Sequence, residues 1–262
     1  MQTPTILLAI IGYFVAAGLQ WQVVNGRSSV SSKVVKLIGL VAVLCHSMSA
    51  YQDLHRPEGI HLDFFSAGSL IGWLVATLVL ISSLRQKIDN LFIAAFPLAA
   101  IALGATLTGI DTSPAKHYDT GLVAHILISI LAYSIFTLAA FQAVLLAKQD
   151  YQLKHHKTRG LLRSLPPLQT METLLFEMIW TGLILLTLSL VSGALVFEDL
   201  FAQQLLHKTV LSILAWLLYA ILLIGRHFLG WRSHKAIRWT VGGFIVLMLS
   251  FFGSKFVLEL LV

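Results

Sequence analysis

The chain has 262 residues, of which 57% are apolar or aromatic and only 11% are charged. Soluble domains carry about 25% charged residues, so a soluble enzyme and a disordered chain are both excluded. The formal charge of +6 would suit nucleic acid in a soluble protein, but here it must be read by its position between apolar runs. Cys45 is the single cysteine, which excludes an internal disulfide, a thiolate zinc cage and a covalently attached c-type haem.

Apolar stretches near the roughly 20 residues needed to cross a bilayer recur along the chain. In order they are Met1–Gly26, Leu37–Gln52, Phe64–Leu84, Asn90–Ile110, Thr120–Ala147, Met178–Phe197, Thr209–Gly225 and Trp239–Ser254. Long apolar runs without alternation select helices over a barrel. The expected fold is therefore all-α, a polytopic membrane bundle of eight transmembrane helices forming one integral-membrane domain over 1–262. The first run has no basic residues before it and is long, so it reads as a retained helix and not a signal peptide. No carboxylate falls inside these eight runs, so an intramembrane carboxylate relay is not expected. Gly68 and Gly72 form a G-x-x-x-G in the third run, a signature of close helix packing.

The basic residues orient the helices. Arg27, Lys33 and Lys36 follow the first run, Arg85 and Lys87 the third, Lys148, Lys154, Lys157, Arg159 and Arg163 the fifth, and Arg226, Arg232, Lys235 and Arg238 the seventh. Only Arg56, Lys116, Lys208 and Lys255 lie on the other side. The positive-inside rule puts the rich side in the cytoplasm and both termini outside. The outer connections are acidic: Asp53, Glu58, Asp63, Asp111, Asp119, Glu198 and Asp199. The connection from Lys148 to Glu177 is the longest and is expected to link two bundles of helices.

Ten histidines are the residues with chemistry to offer. His155, His156, His227 and His234 lie among lysines and arginines, as a solvated basic face requires. His46, His55, His61, His117, His125 and His207 lie in the outer half. His46 and His125 are six or seven residues from acidic rim residues, hence roughly 9–10 Å below the rim at 1.5 Å per residue. His207 opens the seventh run. Neutral imidazoles from different helices take both axial positions of a haem, and ionisable groups within a membrane mark functional sites. Tyr51, Phe64, Phe65, Trp73, Tyr118, Phe197 and Phe201 are the aromatic residues available to line an apolar groove. Two alternatives remain open. Each histidine can simply hydrogen-bond a nearby hydroxyl or carbonyl, as in a membrane scaffold or accessory protein. The loop carrying Asp53, His55, His61 and Asp63 can instead hold a divalent metal. Motifs of hydrolases, zinc proteases and nucleotide-binding loops are missing.

Three stretches resemble the cytochrome c assembly membrane proteins of the CcsA, CcmC and HemX group, and within it the compact inner-membrane branch called YpjD-like. They are Leu44–Leu70, with an early intramembrane histidine and outer loop; Gly121–Lys154, with His, downstream Tyr and Phe, and a basic exit; and His207–Arg232, with a Gly-Trp-Arg exit. The resemblance implies a protein of the bacterial inner membrane that handles haem at its periplasmic face, in contact with lipid and with other membrane or cytochrome assembly proteins. It implies non-covalent haem b as cofactor and His125, His207 and His46 as candidate iron ligands. Larger members present haem on a tryptophan-rich outer segment, whereas Val196–Leu206 here holds no tryptophan. The expected role is thus haem binding or transfer without ligase activity, and not enzymatic catalysis.

Overall fold

A computed structural model of the chain describes residues 2–57, 59–108, 117–155, 165–196 and 203–253. Eight of its helices are long and apolar enough to cross a membrane. They fall into two compact units, Met1–His117 with Tyr151–Pro167, and Tyr118–Asp150 with Leu168–Val262.

The first unit holds α1 (Gln2–Val24), α2 (Ser32–Leu54), α3 (Phe64–Ser82) and α4 (Phe92–Ala105), with a short 3-10 turn on each side of α4. α1 packs on α2 and α4, and α3 packs on α2 and α4. Small residues permit the close approaches. A Cβ on Gly12 would lie 2.9 Å from the Cβ of Ala42, and one on Gly72 would lie 3.1 Å from the Ala99 backbone. The Gly72 half of the G-x-x-x-G is therefore a packing contact, as small residues provide in membranes. Between α2 and α3 a two-residue antiparallel ladder pairs His55 with Ile60 and Arg56 with Gly59. Asp63 then caps α3, accepting the Ser66 N–H at 2.7 Å, as carboxylates do at helix N-termini.

The second unit holds α5 (Thr120–Lys154), α6 (Leu168–Val196), α7 (Gln203–Leu229) and α8 (His234–Met248), which loosens into a π turn over Leu249–Gly253. The Tyr133 hydroxyl donates to the Leu247 carbonyl just before that turn. Gly182 lets the Phe136 ring sit where a Cβ would be 2.8 Å from it, and Gly243 does the same for Tyr219. Phe136 and Tyr219 stack at 4.0 Å, so the core of this unit is an aromatic pair seated on two glycines.

The eight apolar runs all become helices, but several helices extend through the charges that bounded the runs. α5 continues to Lys154 and α6 begins at Leu168. This places Asp150 and Glu172 on helices, both buried, and corrects the expectation that no carboxylate lies within a spanning helix. The charges survive there because each is paired near a helix end. Glu172 accepts from Arg226 at 2.7 Å, and Asp150 meets His234 at 3.1 Å. Likewise Lys36 pairs with Asp89 at 3.1 Å in the first unit.

Candidate haem-ligand site

His46 is fully buried in the first unit. Its Nδ1 lies 3.1 Å from the Tyr13 hydroxyl on α1, and its Nε2 lies 2.9 Å from the Ser69 hydroxyl on α3. Both ring nitrogens are therefore engaged, and one imidazole ties three helices together. One turn away along α2, Ser49 meets Thr5 of α1 at 3.1 Å. This polar seam satisfies groups that lipid would leave unsatisfied.

The outer loop of the same unit is also bound into the helix ends. Ser66 donates to Asp53 at 2.6 Å and lies 3.3 Å from His61 Nδ1. His61 Nδ1 is 3.6 Å from Asp53, and Arg56 pairs with Asp53 at 3.2 Å. His55 turns back onto its own helix, with Nδ1 3.1 Å from the Tyr51 carbonyl and its ring stacked on Tyr51. Among the described residues no group of three or more His, Cys, Asp or Glu side chains is placed to hold a metal ion. Asp53, His61 and Asp63 instead order the loop and cap α3.

His125 lies one turn into α5 of the second unit and is half-buried. Its Nδ1 is 3.0 Å from the Ser192 hydroxyl on α6. That hydroxyl also lies 3.0 Å from the Ser189 carbonyl; with its proton given there, its oxygen accepts from a protonated Nδ1 of His125. The lone pair is then on Nε2, the arrangement that orients a metal-binding imidazole. Ser129 reinforces the helix pair, donating to the His125 carbonyl at 2.7 Å and meeting Ser189 at 2.7 Å. The ring rests on Gly193, where a Cβ would stand 3.0 Å from Cε1 and 3.4 Å from Nδ1. Any side chain at 193 would occupy the imidazole's place.

His207 is exposed near the start of α7. The Trp216 indole donates to Thr187 at 2.8 Å, fixing the register of α7 against α6. Counting from that pair, His207 lies about four residues, or roughly 6 Å, nearer the end of the unit than Ser192. His125 and His207 thus share one end of one unit, with His207 nearer its rim. His46 belongs to the other unit. The aromatic residues expected to line a groove are divided as well: Tyr51, Phe64, Phe65 and Trp73 lie in the first unit and Tyr118 in the second. Phe197, Phe201, Glu58, Asp111, Lys116, His156, Lys157, Arg159, Arg163, Glu198, Asp199, Ser254 and Lys255 lie outside the described residues. His117, His155 and His227 are exposed; His155 Nδ1 is 2.8 Å from the Tyr151 carbonyl.

The partners of His46 and His125 were not legible beforehand. Ser192 is 67 residues from His125, and Tyr13 is 33 from His46. The signal that did exist was Ser189–Ser192–Gly193, a small polar run in an otherwise apolar helix.

Comparison with known proteins agrees with this architecture. The cytochrome c assembly protein family matches residues 34–262. Inner membrane protein YpjD of Escherichia coli K12 is 30% identical over 259 residues, covering 97% of this chain and 98% of the relative. Protein HemX of Brevibacillus brevis is 28% identical over 134 residues, about half of each chain (50% and 49%). No solved structure matches. Eight membrane-length helices and a family match that runs from residue 34 to residue 262 make this chain a multi-pass inner-membrane protein that belongs to the cytochrome c assembly family.

Proposed function

We propose that the chain binds b-type haem at the His125 end of its second unit and handles it at the periplasmic face without attaching it to protein. One observation carries this reading: the His125 imidazole is held on α6, with Nδ1 3.0 Å from the Ser192 hydroxyl and the ring resting against Gly193. His125 fits an axial ligand on the chemistry of its donor set. His207, at the same end and exposed, is the second ligand in this reading. Haem bound there would supply an iron that imidazole can ligate, and His125 and His207 would be the residues to hold it. The protein's part is to hold and orient the imidazole.

His46 fits less well, because ligation would require breaking its bond to Tyr13 or to Ser69. A divalent-metal role for the outer loop finds no support in its geometry, since Asp53 and Asp63 are committed to hydrogen bonds within the loop and the α3 cap.

The test is haem content of the detergent-purified protein after His125→Ala, with His55→Ala alongside. Loss of haem in the first and retention in the second is the expected result. Equal occupancy in wild type and His125→Ala, with both eluting as folded protein, contradicts the assignment.

A further inference from the structure

The opposite end of the second unit holds a cluster that haem binding does not use. α7 ends in Arg226-His227-Phe228-Leu229, and a four-residue turn leads into α8. The turn is rigid. Gly230 takes φ +62° and Ser233 φ +45°, and the Trp231 N–H donates to the Gly225 carbonyl at 3.1 Å. A Cβ on Gly225 would be 2.5 Å from the Trp231 ring. Arg226 braces the turn from inside: it donates to Glu172 at 2.7 Å and to the Trp231 carbonyl at 3.3 Å, and lies over the Phe176 ring at 4.7 Å.

The carboxylates facing this cluster are already matched. Glu172 is taken by Arg226, with Arg232 at 4.0 Å, and Asp150 by His234. Three cations lie on the surface, one of them the Arg232 that shares Glu172. Arg232 is 68% exposed, and Lys235 and Arg238 are exposed on the first turn and a half of α8. Lys235 sits 5.3 Å over the Trp231 ring, and Trp231 packs against Trp239 at 5.4 Å. Beside them Phe228 and Leu229 are 75% and 68% exposed. A preformed turn thus presents three cations, two interfacial indoles and an apolar flank side by side.

We infer that this turn is a binding site for the phosphate headgroup of an anionic phospholipid, with the acyl chains lying along Phe228 and Leu229. The charge excess selects an anion, and guanidinium and ammonium donors suit phosphate. Tryptophan favours the headgroup level of a bilayer. The exposed phenylalanine and leucine add what a free anion would not need.

The test uses the full chain in mild detergent with dioleoylphosphatidylglycerol, dioleoylphosphatidylcholine or inorganic phosphate added, reading retained lipid and the thermal midpoint. Phosphatidylglycerol should be retained and raise the midpoint, and both effects should shrink as salt rises. Phosphatidylcholine and inorganic phosphate should do neither. Neutralising the site in the variant R232Q/K235Q/R238Q should lower phosphatidylglycerol retention on the order of tenfold or more. The variant R85Q/K87Q, altering exposed basic residues of the first unit, should retain it as wild type does. If the triple variant does not fold, the single change Arg238→Gln, at a side chain on the surface, should still lose part of the retention. Equal retention in wild type and the neutralised variants, an equal loss in R85Q/K87Q, or an equal effect of inorganic phosphate would each overturn the proposal.

Discussion

The hydroxyl of Ser192 lies 3.0 Å from His125 Nδ1 and 3.0 Å from the Ser189 carbonyl, and so links the ring to α6. Ser192→Ala removes that link between the ring and α6. Outer-shell hydrogen bonds of this kind typically change metal affinity by about 10- to 100-fold. The variant should therefore weaken haemin binding by about tenfold in a titration, with folding retained, and an unchanged affinity would remove Ser192 from the account. His46 is the opposite case. Two interhelical hydrogen bonds average about 0.6 kcal/mol each in membranes, but His46→Ala also empties a fully buried volume between three helices. The predicted loss is about 2–4 kcal/mol, measured as a lower unfolding midpoint. Sequence singled out both histidines by depth within an apolar run. It had no means of separating them, since the difference lies in partners on other helices.

At the scale of elements, charge was a poor guide to where helices stop. Met178 was expected to begin the sixth span, yet α6 starts at Leu168 and carries Glu172 into a buried position beside Arg226. An ion pair near a helix end lets the apolar run extend past its charged boundary. Glu172→Ala would leave the Arg226 guanidinium without its carboxylate. Breaking a buried pair costs about 3–5 kcal/mol, but Arg226 is 29% exposed, so the loss should be nearer 2 kcal/mol. A thermal scan checks it. Gly182→Val is expected to be equally damaging for a different reason. Its side chain would drive into the Phe136 ring that stacks on Tyr219, and overpacking of this kind costs about 1–3 kcal/mol. The eight helices themselves were legible, since length and hydropathy alone determine them. The ladder between α2 and α3 was not, because two-residue strands leave no period to read.

For the whole molecule, the basic residues cluster after alternate helices, and the positive-inside rule predicts that side to be cytoplasmic. Alkaline phosphatase fused after Val262 should accordingly be active, and fused within the Lys148–Pro167 connection inactive; the reverse pattern would invert the assigned faces. His46 belongs to one helical unit and His125 with His207 to the other, a grouping that one-dimensional depth arguments do not contain. Haem binding through His125 is the proposal on which the rest depends. The most direct measurement is a reduced-minus-oxidised absorption spectrum of purified wild type and His125→Ala, each with and without added haemin. Sharp reduced bands of six-coordinate b-type haem are expected in the wild type, and their loss in the variant. A wild-type sample with no haem band even after haemin is added would contradict it, as would identical bands in the two proteins.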